Sequence, residues 1–336
     1  MTGVVKVVYS YLYIFISSMT NSSLRIVFMG TPDFAVPSLQ ILVENSYNVV
    51  AVITAPDKPA GRGHKIQQSP VKKYALEKGL TVLQPTNLKS EEFIAELKAL
   101  NANLQVVVAF RMLPEVIWKM PALGTFNLHG SLLPQYRGAA PINWAVINGD
   151  AESGVTTFFI NENIDTGKII LQEKIKLSPT TTAGELHDQL MELGKKLVLD
   201  TVYRIQTNNL SLLNQKDLLI KELKPAPKIF KETCKIDWTK NTQTLYNLIR
   251  GLSPYPAAWT TIKKGEEEIG MKIFAAEISD KQISPGAMES DNKTYLYIGC
   301  ADGALKITHL QLAGKNRMKT EDLLKGFNAT GYHIIQ

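Results

Sequence analysis

Two side chains able to do chemistry stand two positions apart in the stretch FNLHGSLLP: Asn127 and His129. The stretch starts like a strand, and in a strand alternate positions share a face. An amide can donate to a carbonyl oxygen as it becomes an oxyanion. An imidazole can take up and return a proton near neutral pH. The natural third member is a carboxylate, which orients the ring and favours its protonated form. NIDTG supplies one, Asp165, on a loop between two expected strands. The trio suits acyl transfer to an external amine, with no serine or cysteine nucleophile. Spacing alone leaves a second reading open, in which Asn127 and His129 are satisfied polar groups of the core and Asp165 is a turn former.

Other chemistries find little support. No GxGxxG follows the first expected strand, where Gly30 stands alone in FMGTPDFAVPSL, and there is no GxxxxGK[ST], so a dinucleotide or P-loop site is not expected. The five histidines (His64, His129, His187, His309, His333) are scattered, and no metal site is expected. Cys234 and Cys300 sit in no CxxC, which fits a reducing cytosol rather than a disulfide framework. The net charge of +6 and a pI near 9.0 are weak pointers to a polyanionic partner.

The elements that must position the trio follow from the apolar pattern. Expected strands are Leu24–Gly30, Asn48–Ala55, Leu80–Leu83, Leu104–Phe110 and Gly124–Leu128. Between them lie helices: Phe34–Glu44 with Asp33 as N-cap, one opened by Ser69-Pro70-Val71, and Ser90–Leu100 capped by Ser90. Alternating strands and helices, with strands apolar on both faces, predict an α/β, doubly wound, mostly parallel sheet. In such sheets ligands bind beyond the carboxyl ends of the strands, and Asn127 and His129 lie at one. Gly154–Ile160 and Gly167–Leu177 predict a hairpin. Thr182–Gln206 predicts a long helix opened by a capping box.

At 336 residues the chain is long enough for two cores. Periodicity is lost in NNLSLLNQKDLLIKELKPAPK, which places a linker at 208–228 between one domain at 24–207 and a second at 229–336, whose short strands between glycine and charged turns read as a small antiparallel barrel or sandwich. The leader MTGVVKVVYSYLYIFISS is too short for a membrane span of about 20 residues, and no AxA-like cleavage site follows it. The reading adopted is a start at Met19, with 1–23 a non-native or disordered leader, and a cytoplasmic protein with no membrane partner.

FNLHGSLLPQYRGAAPINWA resembles the core signature of the 10-formyltetrahydrofolate-dependent formyltransferases. RIVFMGTPDFAVPSL, PDKPAGRG, SPVKKYALEKGL, VVVAFRMLP, IDTGKIIL and IRGLSPYPAAWT resemble, in order, segments of the members of that family that act on charged initiator tRNA. The resemblance runs from about Leu24 to the C-terminal region. HGSLLP and IDTG are shared across the family, whereas PDKPAGRG and SPYPAAWT are more specific to the tRNA-directed members.

The resemblance implies a Rossmann-like catalytic domain at 24–207, an OB-like, tRNA-binding C-terminal β-barrel at 229–336, 10-formyltetrahydrofolate as formyl donor and co-substrate, no metal, methionyl initiator tRNA as partner, and a monomer. Asn127, His129 and Asp165 match the catalytic trio. Ser131, Leu132, Leu133 and Pro134 match the folate-binding loop. Ala109 to Leu113, including Phe110, falls where the family lines the pterin pocket, and AFRMLP departs there from a longer, AYG-containing run. The loop from Asp57 to Gly63, with Arg62 and flanked by Lys58 and Lys65, matches one used on the tRNA acceptor end. Lys224, Lys228 and Lys231, ordinarily a solvated face, become beside a second domain a basic track for phosphates. Rival readings are a formyltransferase acting on a small amine, a folate hydrolase, and a catalytically silent RNA-binding protein.

Overall fold

The structure, a computed structural model, describes residues 24–60, 65–218 and 222–335. The leader and Arg62 lie outside the described residues. By proximity the chain divides into two compact units. The first holds residues up to Arg137, with Gly154–Lys174 and Asp188–Lys224. The second holds Pro225–Gln336 and also takes two earlier pieces, Gly138–Ser153 and Ile175–His187.

The N-terminal half alternates as expected. Its elements run β1 (Ile26–Gly30), α1 (Val36–Glu44), β2 (Val49–Ile53), a short hairpin of β3 (Lys58–Ala60) and β4 (Lys65–Gln67), and α2 (Pro70–Glu77). They continue with β5 (Val82–Leu83), α3 (Glu91–Ala99), β6 (Leu104–Val108), α4 (Glu115–Trp118) and β7 (Thr125–His129). Then come α5 (Pro141–Ile147), β8 (Glu152–Phe159), β9 (Ile169–Lys176) and α6 (Ala183–Gln206). The main sheet has the order β5-β2-β1-β6-β7-β8-β9. β1, β2, β5, β6 and β7 pair in parallel, and β8 returns antiparallel along β7. Every residue of β1 and β6 is buried, as central parallel strands require, and the one polar residue among them, Gln105, accepts from Thr125 Oγ at 2.9 Å.

Local chemistry sets the helix starts. Ser69 accepts the Lys72 N–H, Ser90 accepts the Phe93 N–H, and Thr182 and Glu185 form the reciprocal capping box. Asp33 is the exception. Residues Asp33–Ala35 form a 3-10 turn leading into α1, so Asp33 is not the residue before α1, and its carboxylate accepts the adjacent Phe34 N–H at 3.0 Å. Pro37, second in α1, has no N–H for a cap to satisfy. The basic PDKPAGRG segment, expected as a plain loop, carries a two-stranded ladder at its base.

The second unit adds α7 (Thr242–Leu252), β10 (Ala258–Lys264), β11 (Glu267–Ser279), β12 (Met288–Ser290), β13 (Leu296–Gly299), β14 (Ala304–Leu312), β15 (Met318–Lys319), α8 (Thr320–Leu324) and β16 (His333–Ile335). Its antiparallel sheet has the order β12-β13-β14-β11-β10-β16, with β15 on β14. The Ile334 N–H donates to Gly286 O just before β12, so the two ends of the path nearly meet. Trp238, fully buried, anchors the core beneath this sheet. α7 packs so closely on α5 that a Cβ on Gly251 would lie 2.5 Å from Ile147 Cγ1. Among the described residues no helix is long and apolar enough to cross a membrane.

β7 carries the candidate chemistry, and its inner face is anchored by the fully buried Phe126. Phe126→Ala removes a core aromatic whose loss typically costs about 3–5 kcal/mol. The denaturant midpoint of the first unit should fall accordingly, and an unchanged midpoint would show that β7 is not part of the cooperative core.

Candidate active site

β7 places Asn127 and His129 on one face, two residues apart. His129 is 6% exposed, with Phe158 edge-on to its ring at a centroid distance of 6.4 Å. Its Nε2 lies 2.8 Å from the Tyr136 carbonyl oxygen. A carbonyl only accepts, so Nε2 carries the proton and Nδ1 is left as the exchanging nitrogen. Nδ1 faces the Asp165 carboxylate, 3.9 Å from Oδ2. That is an ion-pair distance, too long for a hydrogen bond. Asn127 is half-buried, and its side-chain amide makes no hydrogen bond among the described residues. The structure thus brings Asp165 to His129, whose strand carries Asn127 two residues earlier on the same face.

Asp165 reaches His129 from the loop after β8, with its backbone in the left-handed region at φ 54°. Aspartate tolerates that region better than most residues.

The SLLP loop turns directly off β7, and its side chains face mostly inward. Ser131 Oγ donates to Gln135 O at 2.7 Å. Leu133 packs into a buried cluster with Phe158 and Ile169. Leu132 alone of the four is half-exposed. Two residues from the sheet hold the loop. Thr156, opposite His129 in the β7–β8 register, donates to Ser131 O at 2.6 Å and accepts the Leu133 N–H at 3.1 Å. Gln172 on β9 donates to Leu133 O at 2.7 Å and to Thr156 Oγ at 2.9 Å. Sequence reasoning missed both, because a threonine and a glutamine in alternating strands carry no signal of the loop they support.

Beyond β6, Ala109 adopts φ 47°. Arg111 then spans back, donating to Thr86 O at 2.9 Å and to Pro85 O. Leu113 is buried with Val107 and Ile117, Phe110 packs beside them, and Met112 is exposed. The segment that departs from the family's usual run is therefore tied down by its own arginine.

Residues 24–202 match the family described as formyl transferase, and residues 228–328 match the formyl transferase C-terminal domain. The chain belongs to the formyl transferase family. A protein of Bacteroides fragilis named methionyl-tRNA formyltransferase is 56% identical over 316 residues, covering 93% of this chain and 98% of its own. The protein of that name from Flavobacterium johnsoniae is 56% identical over 305 residues, covering 90% and 96%. Among solved structures, the sugar 3N-formyl transferase WlaRD has TM-score 0.61 at 20% identity, covering 87% of this chain and 99% of its own. An N-formyltransferase of Helicobacter canadensis has TM-score 0.61 at 22% identity, covering 84% and 98%. At such identities these two structures speak for the fold alone.

The basic residues of this formyl transferase divide between its units. In the first, Lys58 is exposed on the hairpin, and the hairpin's root is clamped. Lys72 Nζ donates to Asp57 Oδ2 and to Gln84 Oε1, both at 2.6 Å, and Gln84 Nε2 donates to Asp57 Oδ1 at 2.9 Å and to Ala55 O at 2.7 Å. Arg62 lies outside the described residues, and so does the side chain of Lys65. Lys224 lies over the Tyr136 ring, 5.8 Å from its centroid. In the second unit, Lys228 lies over Phe230, and Lys231 and Lys235 over Trp259, at 5.4–5.9 Å.

Two outcomes follow. Thr156→Val leaves the Leu133 N–H without its acceptor, a loss of about 1–3 kcal/mol. Exchange of that amide should quicken about 10- to 100-fold, with β1 amides unchanged; an unaltered Leu133 rate would contradict the hub. The Lys72 hydrogen bond, and then Gln84, hold the Asp57 carboxyl below its ordinary value. Its contribution to stability is therefore present above about pH 4 and lost as pH falls through the lowered value. A carbon NMR titration should place the Asp57 midpoint below about 4, and Lys72→Met should move it upward.

Proposed function

We propose that this chain transfers the formyl group of 10-formyltetrahydrofolate to the α-amino group of methionyl initiator tRNA. The observation that carries the reading is Asp165 brought to His129, whose strand carries Asn127 two residues earlier on the same face and leads into the SLLP loop, in a chain whose relatives of that name match over nine-tenths of its length.

The chemistry follows from the geometry. The neutral amine attacks the formyl carbon, and the formyl oxygen gains negative charge. Asn127 donates its amide N–H to that oxygen, and a single such donor is worth about 3–4 kcal/mol. Collapse breaks the bond from the formyl carbon to N10. One proton must leave the amine and one must reach N10. His129 handles it at Nδ1, since Nε2–H is committed to the Tyr136 carbonyl. Asp165, facing Nδ1, stabilises the ring while it holds the extra proton. Proton transfer by a positioned group contributes about 10²–10⁴-fold.

Leu132 is the member of the SLLP loop whose side chain is open to the folate, while Thr156 and Gln172 keep the loop backbone in place. Leu113 and Phe110 supply apolar surface for the pterin. Arg62, Lys58 and Lys65, in the basic segment that follows Asp57, meet the acceptor end, and Lys224, Lys228 and Lys231 take phosphates. The aromatic ring beneath each of these three lysines keeps its stem extended at little entropic cost. The reaction belongs to the cytoplasm, where initiator tRNA is charged and used.

Transfer of labelled formyl from 10-formyltetrahydrofolate to charged initiator tRNA tests the reading, with elongator methionyl-tRNA and small amines as controls. Label on a small amine in preference to the tRNA would replace the assigned acceptor. Asn127→Ala should lower kcat about 10²–10³-fold with tRNA affinity little changed. His129→Ala and Asp165→Ala should likewise lose turnover before binding. The triple change of Lys224, Lys228 and Lys231 to Ala should weaken tRNA binding and flatten its salt dependence by about one unit of slope per lysine. An unaltered slope would remove the track.

A further inference from the structure

The segment after α6 has the composition of a tether, yet its described parts return across the catalytic unit. Leu213 and Ile169 exchange a pair of backbone hydrogen bonds, N–H to O at 2.9 and 3.0 Å. Gln215 follows, 2% exposed, at the start of a 3-10 turn. Its Nε2 donates to Asp165 O at 2.8 Å and to Gly167 O at 2.9 Å. Its Oε1 accepts from Arg137 Nε at 3.0 Å and from Nη2 at 2.6 Å. Both donors and both acceptor positions of the amide are thus used. Its orientation is also decided, because the reversed amide would set NH₂ against a guanidinium and oxygen against two carbonyls.

These bonds complete a circuit. The His129 ring is gripped at Nε2 by the Tyr136 carbonyl. The next residue, Arg137, grips Gln215. Gln215 grips the backbone of Asp165, whose carboxylate faces His129 Nδ1. Arg137 also lies close enough to the Asp165 carboxylate to interact with its charge, while burial pulls its own guanidinium below the ordinary value. The loop needs such a hold. Asp165 sits at φ 54°, a region that costs a non-glycine residue energy, and at Gly167 a Cβ would overlap Phe159 O.

We propose that Gln215, braced by Arg137, is a positioning residue for the transfer reaction: it fixes the loop bearing Asp165 so that the carboxylate meets His129. The inference rests on the reading that Asp165 serves formyl transfer. A glutamine that only satisfied buried groups would affect stability and leave the chemical step alone.

The test is a double-mutant cycle on the full chain. It reads the single-turnover rate of formyl transfer from 10-formyltetrahydrofolate to charged initiator tRNA, both saturating, for wild type, Gln215→Met, Asp165→Asn and the double variant. Gln215→Met should slow the step about 10- to 100-fold, as expected for a lost orienting contact, with KM for both substrates within about twofold. In the Asp165→Asn background it should cost nothing further, because residues that act as a unit are not additive. Should Gln215→Met fail to fold, Arg137→Gln carries the same cycle and the same expectation. Rates within about twofold of wild type for these variants, or losses that multiply in the double variant, overturn the proposal. A normal rate in Asp165→Asn would instead remove the catalytic reading of Asp165, and this inference with it.

Discussion

The hydrogen bond from His129 Nε2 to the Tyr136 carbonyl decides what the rest of the site can do. An imidazole 6% exposed cannot leave a nitrogen to chance, since a buried polar group without a partner is costly. Committing Nε2–H to a carbonyl seven residues on makes Nδ1 the working nitrogen and turns it toward Asp165. The loop that supplies this carbonyl is the same loop whose backbone is fastened by Thr156 and Gln172. Ring orientation and the SLLP loop are therefore not independent: each depends on one short segment, Ser131 to Arg137, being held in a single conformation.

That dependence explains why β8 runs antiparallel beside β7. The register sets Thr156 opposite His129, which puts a hydroxyl under the SLLP loop. The same strand ends next to the Asp165 loop. One strand thus supports the SLLP loop through Thr156 and leads at its end into the loop that bears Asp165. A parallel neighbour would need a long crossover before either task. The sheet changes from parallel to antiparallel at β7, the strand that bears Asn127 and His129.

Much of this could be read from residue order, for physical reasons that differ from place to place. β1 is an unbroken apolar run and β6 nearly one, its Gln105 being satisfied by Thr125, because both their faces are covered. Ser69, Ser90 and the Thr182–Glu185 box announce helices because capping is local chemistry. Asn127 and His129 were visible because alternation places them on one face. Asp33 misled, since a proline two residues into α1 makes the usual cap unnecessary. The ladder at the base of the PDKPAGRG segment was hidden by proline and glycine, which read as loop. Thr156, Gln172 and Gln215 were illegible for another reason. Each acts by convergence of distant segments, and Gln215 lies about fifty positions from the loop it holds. The gathering of Gly138–Ser153 with the C-terminal unit likewise reflects the fit of α5 on α7, which no local pattern encodes.

The claim on which the account turns is the proton on His129. Nitrogen NMR of histidine-labelled protein near neutral pH reads it directly, with His129→Gln to assign the signal. The account predicts that the neutral ring is the Nε2–H tautomer, with a slowly exchanging proton on Nε2 and a bare Nδ1. A neutral ring protonated at Nδ1, with Nε2 bare, would contradict it.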